Sequence, residues 1–284
     1  MGKVFTDPST AGYHSPGHPE APARVLRPAA LLKAGGHAVL PPDVAATEED
    51  ARLVHSPEHL AAVRDGTYSD ADTPHHPGID RIALTSLSGA LSAGRSAAAG
   101  EPAFSLMRPP GHHAGKSRVA GFCYLNNLAV AVESLLRSGA AKRIAIIDVD
   151  VHHGDGTESI MSGREGVLMC SLHQVPLYPG TGLKSRGNCL NFPLPPGTAE
   201  GAYLSALELA VSAALDAKPD LLAVSAGFDT YKECPIAQLK LDKPSYRRIG
   251  RMLAETKLKR FAVLEGGYAE DLPLLIESFL TGFF

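Results

Sequence analysis

Along the chain, short runs that are apolar at nearly every position alternate with longer stretches whose apolar residues recur at helical spacing. IAIID, LLAVSAG and FAVLEGG have almost no polar face. Strands covered on both sides of a parallel sheet show that pattern, whereas half-exposed antiparallel strands alternate. The pattern predicts strands over residues 3–6, 103–107, 143–148, 167–172, 190–193, 221–225 and 260–264. It predicts helices over residues 21–34, 57–66, 79–99, 121–138, 201–217, 245–258 and 269–279. Strand–helix alternation over the whole length predicts an α/β fold, a single domain over 1–284 with a mainly parallel β-sheet flanked by helices on both faces.

Polar residues cluster where four of these strands end. RPPGHHAG follows 103–107, DVDVHHGDG closes 143–148, AGFDTYKECP follows 221–225 and EGGYAEDL follows 260–264. Open α/β sheets carry their sites at the carboxyl ends of strands. A functional site built from four separate loops is therefore expected.

With 284 residues, 44% of them hydrophobic, the chain can bury one large core. A net charge of −3 gives no general attraction to nucleic acid or to an anionic membrane, and neither is expected as a partner. No apolar run reaches the ~18 residues of a membrane span, and MGKVFTDPST has no signal-peptide character. Cys123, Cys170, Cys189 and Cys234 form no CxxC pair, so a reduced, cytoplasmic protein is expected. Monomer and homodimer both stay open.

Asp150 and His152 are one residue apart, and in an extended segment positions i and i+2 face the same way. A carboxylate and an imidazole can thus converge on one ion, with Asp229 from another strand end as third ligand. Three protein ligands leave a position open for water and substrate, as a catalytic metal requires. Zinc is the first choice; the oxygen-rich set also suits iron(II) or cobalt(II). An aspartate before a glycine-rich turn is usually a cap. A DxDxHHGDG run at a buried strand end is harder to explain that way, because so many buried polar groups need an ion or a network.

His112 and His113 follow Pro110-Gly111, which permits a backbone turn that brings the two rings together. Two histidines beside an activated water can divide the work of base and acid, and Asp148 and Asp155 are the candidate charge partners. Tyr268 follows two glycines and could donate to a developing oxyanion. Taken singly, a tandem histidine or a tyrosine is more often structural.

Together, HPEAPAR (18–24), LVHSPEHL (53–60), RPPGHHAGKSRVAGFCYLNN (108–127), IIDVDVHHGDGTE (146–158), SLHQVPLYPGTG (171–182), SAGFD (225–229) and LEGGY (264–268) resemble the histone deacetylase family of the arginase–deacetylase fold. Asn127 in place of an acid makes the likeness closer to bacterial and class II-type members than to class I. The resemblance implies a zinc-dependent deacetylase with Asp150, His152 and Asp229 as ligands. It implies His113 as the main proton shuttle, His112 as its companion, Asp148 and Asp155 as their charge partners and Tyr268 as the transition-state donor. It implies a substrate tunnel walled by Gly121, Phe122 and Tyr178, with Ile236 at the gatekeeper position and Cys123 at the floor. Arg24 matches the arginine of the internal cavity. A structural potassium ion is implied at Asp148, Ser171 and the carbonyls of Asp150, His152 and Leu172.

Polyamine-selective relatives carry an acid at the gatekeeper position. Ile236 therefore makes an acyl-lysine protein or peptide the expected substrate, ahead of an acetylated small amine such as an acetylpolyamine, with Glu233 close by. A non-catalytic acyl-lysine binder and a two-manganese ureohydrolase are disfavoured, because the ligands and Tyr268 are intact and the donor set suits one metal.

Overall fold

The structure is a computed structural model that describes residues 2–284. Eight strands form one sheet: β1 (Lys3–Phe5), β2 (Ala38–Leu40), β3 (Ala103–Ser105), β4 (Ile144–Asp148), β5 (Val167–Gln174), β6 (Cys189–Leu194), β7 (Leu221–Ala226) and β8 (Lys259–Leu264). Their order is β2-β1-β3-β8-β7-β4-β5-β6, and every neighbouring pair is parallel. The helices are α1 (Ala23–Ala34), α2 (Glu48–Ala51), α3 (Pro57–Asp65), α4 (Ile79–Ala98), α5 (Asn127–Arg137), α6 (Asp155–Met161), α7 (Glu200–Asp216), α8 (Lys243–Glu255) and α9 (Leu272–Phe283).

Two cores explain why the central strands read as apolar throughout. Ala145, Ile147, Leu222, Val224, Ala262 and Leu264 face a core shared with α1, α7, α8 and α9. Their neighbours Ile144, Ile146, Leu221, Ala223, Phe261 and Val263 face the opposite core, built with α3, α4 and α5. Alternate side chains of one strand thus enter different apolar layers. Local signals set the helix ends. The Ser56 hydroxyl accepts the His59 N–H at 3.2 Å to start α3, Pro57 follows it, and Gly66 ends the helix at φ 68°.

The β3, β8, β7 and β4 strands that carry the four polar clusters are consecutive in the sheet, so their loops lie side by side. Several expectations need correction. β2, α2 and α6 were not foreseen, since each is only a few residues long. The helix expected over 121–138 starts at Asn127, because Gly121 and Phe122 have φ of 54° and 70°. Left-handed backbone cannot sit inside an α-helix. The last helix is shifted to Leu272–Phe283.

Candidate active site

Asp150 and His152 lie beyond the end of β4, in a bend rather than in extended strand. They still converge, because the Asp150 carboxylate accepts the backbone N–H of His152 at 2.9 Å and folds the bend on itself. His152 Nδ1 stands 3.0 Å from Asp150 Oδ1 and 3.1 Å from Asp229 Oδ2. One ligand atom from each of the three residues lies within 4.8 Å of the others, and all three residues are buried. Glycines make the approach possible: a Cβ at Gly227 or Gly266 would overlap the carboxylates of Asp150 and Asp229.

These residues fit a metal ion. His152 Nδ1 and the two carboxylate oxygens face one another, and Asp229 Oδ2 is a buried carboxylate oxygen with no hydrogen-bond partner. Such an oxygen is costly to bury unless a cation meets it. Two carboxylate oxygens and one imidazole nitrogen suit zinc and also other divalent transition metals.

The tandem histidines do come together. Their ring centroids are 4.0 Å apart, tilted at 47°. His112 Nδ1 meets Asp148 Oδ2 at 3.1 Å, and His113 Nδ1 meets Asp155 Oδ1 at 2.7 Å. Asp155 opens α6, where the helix N-terminus also favours its charge. Burial opposes a proton on His112, but the carboxylates of Asp150 and Asp148 outweigh it and raise the pKa well above the usual imidazole value. Burial and the neighbouring His112 push His113 down to about 3, against the pull of Asp155. His113 is thus the neutral member, with its proton held on Nδ1 and a free Nε2. Burial opposes ionisation of Asp155, yet His113 and Arg118 lower it to about 2.

The site opens into a cavity of about 330 Å³ lined by His112, His113, His152, Gly121, Phe122, Tyr178, Ile236 and Tyr268. Gly121 has no room for a side chain, since a Cβ would meet the His113 and Tyr178 rings. The left-handed Phe122 is held by its N–H donating to Thr73 Oγ1 at 2.8 Å. Burial raises the Tyr268 phenol well above its usual pKa, so it stays a neutral donor. Cys123 departs from expectation: it is fully buried behind the wall and does not line the cavity. Its thiol faces the Gly121 carbonyl at 3.3 Å, and burial raises its pKa. All four cysteines are free and buried.

Arg24 lies under the Tyr268 ring, 4.8 Å from its centroid, with Nε donating to the Gly267 carbonyl at 2.8 Å. Asp148 and Ser171 are register partners on β4 and β5, and both are fully buried. Leu172 follows on the same strand. Several lining residues were missed, Pro19, Pro110 and Gly266 among them. His18, Leu177 and the exposed Asp72 also line the cavity. His18 opens the HPEAPAR string, but nothing in the periodicity of the loop around Asp72 marks it. Glu233, considered as a rim acid, is exposed and outside the cavity lining. No helix among the described residues is long and apolar enough to cross a membrane.

A family model for the histone deacetylase domain matches residues 18–280. A probable deacetylase of Archaeoglobus fulgidus is 37% identical, over 95% of this chain and 82% of its own length. Acetylpolyamine amidohydrolase 1 of Pseudomonas aeruginosa is 41% identical, over 72% of this chain and 63% of the relative. The crystal structure of an acetylpolyamine aminohydrolase from Burkholderia pseudomallei matches with a TM-score of 0.92 at 28% identity, over 100% of this chain and 98% of that one. The strand-end site, the family match and these relatives lead to one conclusion: the chain belongs to the histone deacetylase family and is a hydrolase of amide bonds.

Proposed function

We propose that this chain, acting as one catalytic domain, removes the acetyl group from small acetylated amines of the acetylpolyamine class. The observation that carries this reading is Asp72. Among the described residues it is the one carboxylate outside the metal ligands and histidine partners that borders the cavity, and it is exposed, so it could meet a distal ammonium. Relatives named for acetylpolyamine hydrolysis support it, although the curated one spans a longer chain. The apolar Ile236 had favoured acyl-lysine peptides; Asp72 offers the missing anion from another loop. Acyl-lysine in a peptide is the second reading, supported by that same Ile236 on the cavity wall.

Asp150, His152 and Asp229 would hold zinc. When bound, zinc supplies a Lewis acid for the amide carbonyl and lowers the pKa of water. His113 takes the water proton on Nε2 while Asp155 holds Nδ1–H. His112, charged against Asp148, favours the negative charge that develops on the oxygens around the reacting carbon. The Tyr268 hydroxyl donates to the carbonyl oxygen as charge develops there. His113 then returns its proton to the leaving nitrogen, and acetate and the free amine depart. A potassium ion at Asp148, Ser171 and the carbonyls of Asp150, His152 and Leu172 would rigidify the strand ends beneath.

Side-by-side kinetics test the substrate. N-acetylputrescine and N8-acetylspermidine are expected to have higher kcat/KM than an acetyl-lysine peptide, and Asp72→Asn should erase most of the difference. Faster turnover of the peptide by the unaltered enzyme would overturn the reading.

A further inference from the structure

Beneath the site lies a set of buried charges that the hydrolysis scheme does not use. Glu20, Arg24 and Arg108 are 2%, 5% and 0% exposed. The Glu20 carboxylate accepts from Arg108 Nε at 2.7 Å and from Arg108 Nη2 at 2.6 Å, a paired fork. The same carboxylate accepts from Arg24 Nη1 at 3.1 Å. The Tyr13 hydroxyl completes its shell. One carboxylate therefore joins two guanidinium groups that belong to different parts of the site.

Those parts are the two that must cooperate. Arg108 is the first residue of the RPPGHH segment, at the root of the tandem-histidine loop. Its remaining N–H groups donate to the carbonyls of Thr10, Tyr13 and Glu20 at 3.1, 3.2 and 3.3 Å, so it is fixed on every side. Arg24 donates to the carbonyls of Glu265 and Gly267, which bracket the turn before Tyr268, and lies beneath the Tyr268 ring. The order of contacts is Tyr268, Arg24, Glu20, Arg108, tandem-histidine loop.

We infer that Glu20 is a positioning residue, which holds the Tyr268 hydroxyl and the His113 imidazole in one frame by joining the arginine under Tyr268 to the arginine at the root of the tandem-histidine loop. The inference rests on Tyr268 and His113 having the roles proposed above. A purely structural ion triplet would not need to end at both catalytic loops. Two buried guanidiniums that share one carboxylate also leave a surplus positive charge on the Tyr268 side, where the oxyanion forms.

The test is a double-mutant cycle between Glu20→Asp and Tyr268→Phe, read as kcat and KM with bound metal and thermal midpoint measured on each protein. Aspartate keeps the charge but is one methylene too short to reach both arginines. In the otherwise unaltered enzyme, Glu20→Asp is expected to lower kcat about tenfold or more with KM within about twofold, since a misplacement of about 1 Å can cost that much. In the Tyr268→Phe background it is expected to cost a clearly smaller factor, because the share acting through the Tyr268 hydroxyl is already gone while the share acting through His113 remains. An unchanged kcat, or the same factor in both backgrounds, would overturn the inference. Arg108→Lys, which keeps the charge and loses the fork, gives the same readout should Glu20→Asp fail to fold. Full activity in Tyr268→Phe alone would instead remove the role proposed for Tyr268, a distinct failure.

Discussion

The carboxylate of Glu265 receives the backbone N–H of His112 at 3.0 Å and that of Gly111 at 2.7 Å, joining the end of β8 to the tandem-histidine loop. Glu265 is fully buried, and its other oxygen accepts from Ser225 at 3.2 Å. Burial pushes its pKa up to about 7, against the pull of His112 and the two N–H groups. Glu265→Leu would strand both amides, at about 1–3 kcal/mol each. The expected result is a lower thermal midpoint together with a fall in kcat. Unchanged values for both in the variant would mean that the loop holds itself.

His113→Ala should lower kcat by about 10²–10⁴-fold with metal content unchanged. His113 touches the proposed ligands only edge-on, with its ring centroid 5.9 Å from that of His152, so its loss leaves the ligand set intact. Turnover near that of the unaltered enzyme would remove His113 from acid–base work.

Asp229→Ala removes a buried carboxylate oxygen that has no hydrogen-bond partner. Metal affinity should fall sharply, and the protein should lose the extra stability that added zinc confers on the unaltered chain. Retention of one tightly held metal per chain after dialysis against a chelator would place the ion elsewhere.

The architecture was legible because it rests on long apolar runs, and three central strands announce themselves in IAIID, LLAVSAG and FAVLEGG. The chemistry was legible because its residues sit where those strands end. The convergence of Asp150 and His152 was anticipated for another reason than the one observed: a bend closed by a side-chain hydrogen bond replaces a period-2 strand. Asp72, Thr73 and Leu177 escaped notice because they lie in loops, where tertiary contacts alone decide which way a side chain faces. The start of α5 was misplaced for a similar reason, since non-glycine backbone at positive φ, as at Phe122, leaves little trace in periodicity.

His55 should contribute a loss of stability on acidification from pH 6.5 downward. His55 donates Nδ1–H to the Gly115 carbonyl at 2.9 Å and accepts the Asn126 N–H on Nε2 at 2.9 Å, so no site remains for a second proton. Burial, then the adjacent His59, lowers its pKa to about 3. Between pH 6.5 and 3 the unfolded chain binds a proton that the folded chain does not, so stability rises with pH there, by up to about 1.4 kcal/mol per pH unit. Burial also lowers His59, which adds in the same direction. Burial opposes ionisation of Glu20, but Arg108 outweighs it and holds the carboxyl below the usual range, so its stabilisation is lost as pH falls from the ordinary carboxyl pKa through its own lower one, also in the same direction. Burial raises Glu265 to about 7, which acts in the opposite direction over part of this range, so the test compares the unaltered chain with His55→Gln: the fall in thermal midpoint from pH 7 to 4 should be smaller in the variant, and identical profiles would contradict the buried neutral His55.

Ile236→Glu should sharpen the preference for amines with a second positive charge. Ile236 borders the same cavity as Asp72, so a glutamate there would place two carboxylates around an emerging ammonium. Both positions are partly solvated, which limits the gain to about 1 kcal/mol, or roughly fivefold in kcat/KM. The effect should appear for N8-acetylspermidine, which carries a remote charge, and be absent for an uncharged N-alkylacetamide. It should also shrink in high salt, because the attraction acts near the surface. An equal gain for the neutral amide would mean that the substitution had reshaped the tunnel and that charge at its mouth plays no part in selection.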